Sequence, residues 1–111
     1  MMCSFTEKNG YCVVRIKEDI TRESDLKELK DQVRRRIESE GVKNLAISFT
    51  QESNLYSPLI AVLVQFLGYV KEKDGNLVVV HPNNGMLDVI RMVGLGKLMI
   101  LAKSEDEIGC P

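Results

Sequence analysis

Hydrophobic positions along the chain alternate between short strand-like runs and helical stripes. From Leu59 to Val70 only Gln65 and Gly68 interrupt the apolar character. A bilayer span needs about 20 such residues, so this run predicts a buried core helix instead. Ser57-Pro58 predicts its start, with Ser57 as N-cap and Pro58 as first helical residue, where the missing N–H costs nothing. On that helix, 58–73, Leu59, Leu63, Phe66, Leu67 and Val70 form the inner stripe. Ala61, Gln65, Gly68 and Glu72 face outward, with Ile60 and Val64 at the margin.

The flanking segments follow the same logic. Asn9-Gly10 is a hairpin turn pair, so Tyr11–Ile16 reads as a strand and Phe5 sits in a partner strand before it. Lys17–Ser24 is polar and reads as a surface loop. Leu26, Leu29, Val33 and Ile37 recur at three- and four-residue steps, which predicts a one-faced helix over 25–40. Ser24 or Asp25 should cap it, Glu28 completes a capping box, and Gly41 ends it. Asn44–Phe49 is a short strand, and glycine in Asp74-Gly75-Asn76 should supply the left-handed stop of the central helix. Leu77–Val80 is an unbroken run of the kind found in strands covered on both faces. After a turn at Pro82-Asn83-Asn84-Gly85, residues Met86, Val89, Ile90 and Val93 trace a third helix that closes at Gly94. Leu98–Leu101 is a last strand, and Ser104-x-x-Glu107 opens about one helical turn. The fold class is α/β: one domain over 1–111, with a mixed, mainly parallel sheet of four to five strands and three to four helices.

Composition narrows the function classes. The 111 residues carry 15 basic and 16 acidic side chains, a net charge of −1, which offers no field for nucleic acid or an anionic membrane. Cys3, Cys12 and Cys110 lack the spacing of a disulfide framework or a metal knuckle, and the N-terminus has no apolar signal region. A reducing cytosol is expected, with Cys12 as a small buried hydrophobe. Arg34-Arg35-Arg36 reads as a solvated helix face, paired to Glu38 and Glu40 four residues on. The single histidine, His81, stands at a strand end and reads as an ordinary residue there. Gly94 and Gly96 make no phosphate-binding loop, and no convergent ligand set for a metal is visible. No cofactor is expected, and the chain reads as non-enzymatic.

Taken in order, N-L-A-I-S-F, then Leu55-Tyr56-Ser57-Pro58-Leu59, then G-N-L-V-V-V, then L-D-V-I-R-M-V-G-L-G-K-L-M-I over 87–100 resemble a STAS domain, the fold of bacterial anti-sigma-factor antagonists. The resemblance covers nearly the whole chain. It implies a protein that docks on an anti-sigma factor with serine kinase activity, releases a sigma factor, and is switched off by phosphorylation on serine. Glu18-Asp19-Ile20-Thr21 stands where the family often has G-E-L-D. The family's D-S-S-G at the helix start is replaced by Leu55-Tyr56-Ser57-Pro58, so Tyr56 holds the usual phosphoacceptor place and Ser57 is the surviving hydroxyl. Ser57 reads as a helix cap or as a phosphorylation candidate, and Tyr56 as a half-buried packing residue or a second candidate.

The expected partner surface comprises Glu18, Asp19, Ile20, Thr21, Leu55, Tyr56, Ser57, Ile60, Ala61, Val64 and Gln65. A charged residue at Ile60 or Val64 should abolish partner binding and spare the fold. The partner is an anti-sigma factor kinase or another ATPase-like protein, and the chain is expected to be a monomer or weak dimer without membrane insertion. Two alternatives remain open: a constitutive docking subunit on the ATPase of a bacterial lipid-transport complex, and a nucleotide-sensing domain.

Overall fold

Asn9 and Gly10 both take left-handed backbone, with φ of 51° and 84°, as a two-residue hairpin turn requires. They join β1 (Cys3–Lys8) to β2 (Tyr11–Ile16) in an antiparallel pair running from Lys8↔Tyr11 to Cys3↔Ile16. The computed structural model describes residues 3–80 and 83–109. The reading of His81 therefore lies outside the described residues, as does that of Cys110.

After the hairpin come α1 (Lys27–Glu40), β3 (Leu45–Ser48), α2 (Ser57–Glu72), β4 (Leu77–Val80), α3 (Asn84–Met92), β5 (Ile100–Ala102) and a single 3₁₀ turn at Glu105–Glu107. The strands lie in the order β1-β2-β3-β4-β5, and every pair after the hairpin is parallel. Each crossover thus steps the same way across the sheet, and right-handed connections then put all three helices on one face. Val14, Leu45, Ile47, Leu77 and Val79 from the strands meet Val33, Leu63, Phe66, Met86 and Ile90 from the helices in one buried cluster.

The opposite face is closed differently. Tyr11, Val13, Ala46, Val78, Val80 and Ala102 form a second buried cluster with Ile108 from the C-terminal segment. That segment is tied to the hairpin. Arg15 Nε donates to Glu105 Oε2 at 3.0 Å, Lys8 Nζ to the Glu105 carbonyl at 2.9 Å, and Asn9 Nδ2 to the Ile108 carbonyl at 2.9 Å. The Leu77–Val80 strand is buried on both faces as expected, but a short strap, not a helix, covers the second.

Several boundaries move for identifiable reasons. α1 begins two residues late, with Leu26 at the cap position and no side-chain cap bond. Ser24 Oγ is already taken by the Thr21 N–H at 2.9 Å, and Asp25 Oδ1 accepts from the Lys27 N–H at 3.0 Å in a local turn. Gly41 ends the helix in left-handed backbone, as expected. At the end of α2 the left-handed residue is Asp74, with φ of 57°, and not the neighbouring glycine. Gly75 serves close approach, because a Cβ there would lie 1.7 Å from the Lys43 carbonyl oxygen. Arg36 pairs with Glu40 at 3.2 Å, whereas Arg34 turns to Asp31 at 3.8 Å instead of Glu38. Cys12 is half-buried and Cys3 fully buried. Burial pushes both thiols up, the direction of an unreactive thiol.

Candidate functional site

The start of α2 differs from expectation by one residue. Tyr56 is the extended cap residue, with φ −96° and ψ 166°, and its carbonyl accepts from the Ile60 N–H at 3.0 Å. Ser57 is therefore the first helical residue and Pro58 the second. The Ser57 side chain is exposed and makes no capping bond, because the position whose side chain can fold over the first turn belongs to Tyr56. Tyr56 is half-buried, and the Arg22 guanidinium stacks 5.1 Å from its ring centroid.

Along α2 the inner stripe is Leu59, Leu63, Phe66, Leu67 and Val70, all buried, and Val62 joins them. Ala61, Gln65 and Gly68 are exposed on the outer side, and Val64 is 48% exposed. Ile60 is only half exposed and packs on the core. A charge there would disturb the fold as well as a contact, so Val64 is the cleaner probe of the two. The outer side faces an open groove of about 600 Å³ bounded by Leu26 and Lys30 near the start of α1 and by Pro58, Ala61 and Gln65 of α2.

Two residues of the expected surface belong to the interior. Ile20 is 1% exposed and Leu55 7%, so both act as anchors and neither can touch a partner. Their burial follows from apolar side chains in otherwise polar loops, which the core captures. Glu18, Asp19 and Thr21 around Ile20 are exposed.

Hydrogen bonds hold these two loops together. The Ile20 N–H donates to Ser53 Oγ at 3.1 Å, and the Asn54 N–H to the Ile20 carbonyl at 3.1 Å. The Thr50 hydroxyl bonds the Asp19 carboxylate and lies 2.8 Å from Ser53 Oγ. Asn83 caps α3 by accepting from the Met86 N–H at 2.8 Å, while its Nδ2 donates to the carbonyls of Gln51 at 2.9 Å and Ser53 at 3.1 Å. One network therefore runs from the start of α3 through the β3–α2 loop to residues 19–20. Sequence reasoning missed Thr50, Ser53 and Asn83 as organisers. The signal available was Asn83 three residues before Met86, an N-cap spacing.

Among the described residues no group of three or more His, Cys, Asp or Glu side chains could hold a metal ion, and no helix is long and apolar enough to cross a membrane.

This arrangement, with three helices on one face and an open leading end on the middle one, defines a class. The family model described as "Mlab, STAS domain" matches residues 3–102. The chain belongs to the STAS domain family. A search of curated protein sequences finds no match. Among solved structures, a protein of Thermotoga maritima assigned as an anti-sigma factor antagonist superposes with a TM-score of 0.83 at 15% identity, over 96% of this chain and 90% of that one. The Bacillus cell fate determinant SpoIIAA in its phosphorylated form gives 0.72 at 17% identity, over 96% of both chains. SpoIIAA in its unphosphorylated form, an anti-sigma factor antagonist, gives 0.67 at 16% identity, over 96% and 92%. The fold of this chain is that of the anti-sigma factor antagonists.

Proposed function

We propose that this protein is a non-catalytic regulatory docking module of the cytosol that binds an anti-sigma factor of the serine-kinase type and so frees a sigma factor. The observation that carries the reading is the open leading end of α2. Ser57 stands there exposed, with no side-chain bond among the described residues, beside the bare outer side of Ala61, Val64 and Gln65. The docking surface comprises those residues with Tyr56 and the exposed Glu18, Asp19 and Thr21. A phosphate on Ser57 would add about −1.5 to −2 charges at a helix N-terminus, where the dipole favours an anion. The fold would accept it, and an apolar or acidic partner surface pressed against that end would not.

A second reading, a constitutive docking subunit on a lipid-transport ATPase, is favoured by a specific observation. Tyr56 stacks under Arg22 in the usual phosphoacceptor place, and Leu55 is buried where the family carries aspartate. Capture from native lysate with wild type and with Ser57→Asp separates the two. A histidine-kinase-like ATPase lost on the acidic change supports the switch, and a transporter ATPase retained by both supports the subunit. Capture of neither class contradicts both.

A further inference from the structure

The large apolar side chains left exposed among the described residues are Val64, Met92, Val93, Leu98 and Ile100. All but Val64 fall between the end of α3 and β5, away from the α2 surface. Among the described residues β5 is the last strand of the sheet and pairs only with β4, which leaves its other edge without a strand partner. Between the end of α3 and that strand lies an open cleft of about 670 Å³ lined by Arg91, Gly94, Gly96, Lys97 and Leu101.

Charge is as one-sided as exposure. From Arg91 to Lys103 the chain carries three cations, Arg91, Lys97 and Lys103, and no acid, although the whole chain has a net charge of −1. All three are exposed, and none is in a salt bridge among the described residues. Arg91 suits the negative end of the α3 dipole, but that does not account for Lys97, which lines the cleft with it, whereas Lys103 lies beside the Glu107 carboxylate that its backbone N–H bonds. The opposite sheet edge is guarded in the ordinary way, since β1 exposes Thr6 and Glu7.

We propose that the β5 edge and its cleft are a second docking site, independent of α2, for an extended acidic segment of a partner protein that also carries apolar residues. Such a segment adds beside Ile100–Ala102, sets carboxylates over Arg91 and Lys97, and covers the exposed Ile100 and Leu98. Edge addition supplies affinity through main-chain bonds, and charge supplies selection. A second copy of this chain is disfavoured, because joining two such edges would bring like charges together. A lipid surface would leave the strand edge and the concave cleft unused.

The test is an NMR titration of the full chain with a short blocked peptide alternating valine and glutamate. Its valine–lysine counterpart and phosphatidylcholine–phosphatidylglycerol vesicles are the comparisons. The glutamate peptide should saturate, shift amides between residues 91 and 102, and slow exchange in β5. Arg91→Glu with Lys97→Glu should weaken it at least about tenfold and admit the lysine peptide. Both side chains are exposed, and Lys97→Glu alone should give a smaller change in the same direction. No saturation, equal binding of the lysine peptide, indifference to charge reversal, or binding confined to the vesicles would overturn the proposal.

Discussion

The two helices that begin beside the β3–α2 loop are finished in opposite ways. At α3, Asn83 uses its whole side chain within the protein, accepting one backbone N–H and donating to two loop carbonyls. At α2, Tyr56 sits in a similar extended cap conformation, yet among the described residues no side chain caps the first turn, and Ser57 is exposed at the surface. One start is spent on holding the chain together. The other keeps its unpaired N–H groups, its dipole and a hydroxyl facing outward, which is what a surface that meets another protein can use.

The sharpest way to break that contrast is Val64→Glu on the outer side of α2. Partner affinity should fall by about 100-fold, the scale of a lost interface anchor, while the melting temperature stays near wild type. Ile60→Glu should lower both, because Ile60 also packs on the core. Asn83→Ala attacks the closed start. It removes a cap and leaves two carbonyls without a donor, so a loss of about 2 kcal/mol is expected in urea unfolding. Amide exchange should quicken at Ile20 and Asn54, since the loop carrying their bonds loosens.

The strap supplies a weaker contrast. The Arg15 guanidinium bonded to Glu105 holds that carboxyl below the usual range. A carboxyl lowered in the folded state contributes stability above its unfolded pKa and loses it as pH falls through the folded value. The contribution should therefore fade below about pH 4.5 and vanish in Glu105→Gln. Both side chains are partly exposed, which limits it to about 0.5 kcal/mol. Smallest of all is Ser57→Ala, expected within about 0.5 kcal/mol of wild type by thermal melting, against the ~1 kcal/mol a working serine cap would cost.

Local chemistry made much of this fold legible. The Asn-Gly turn, the strands at 11–16 and 77–80, the Gly41 stop and the inner stripe of α2 all follow from rules that act within a few residues. What was hidden depends on partners far along the chain. Ser24 has the right type for a cap but is consumed by Thr21, and the strap closes through Arg15 and Glu105, distant in sequence. Gly75 is a glycine because of Lys43, which no turn rule reveals. At the candidate site the outer side of α2 was readable from its wheel, whereas Ile20 and Leu55 looked like loop residues and proved to be core. Asn83 looked like part of a turn because its three bonds exist only once the β3–α2 loop lies beside it.

The most direct measurement is a map of backbone amide shifts on ¹⁵N-labelled protein as the captured ATPase-like partner is added. The account predicts that the perturbed amides cluster at Ser57, Ala61, Val64, Gln65 and Gly68, with Glu18, Asp19 and Thr21 beside them, and that the strap residues 103–109 stay unchanged. Perturbation confined to residues 91–102 or to the strap, with α2 silent, would contradict it.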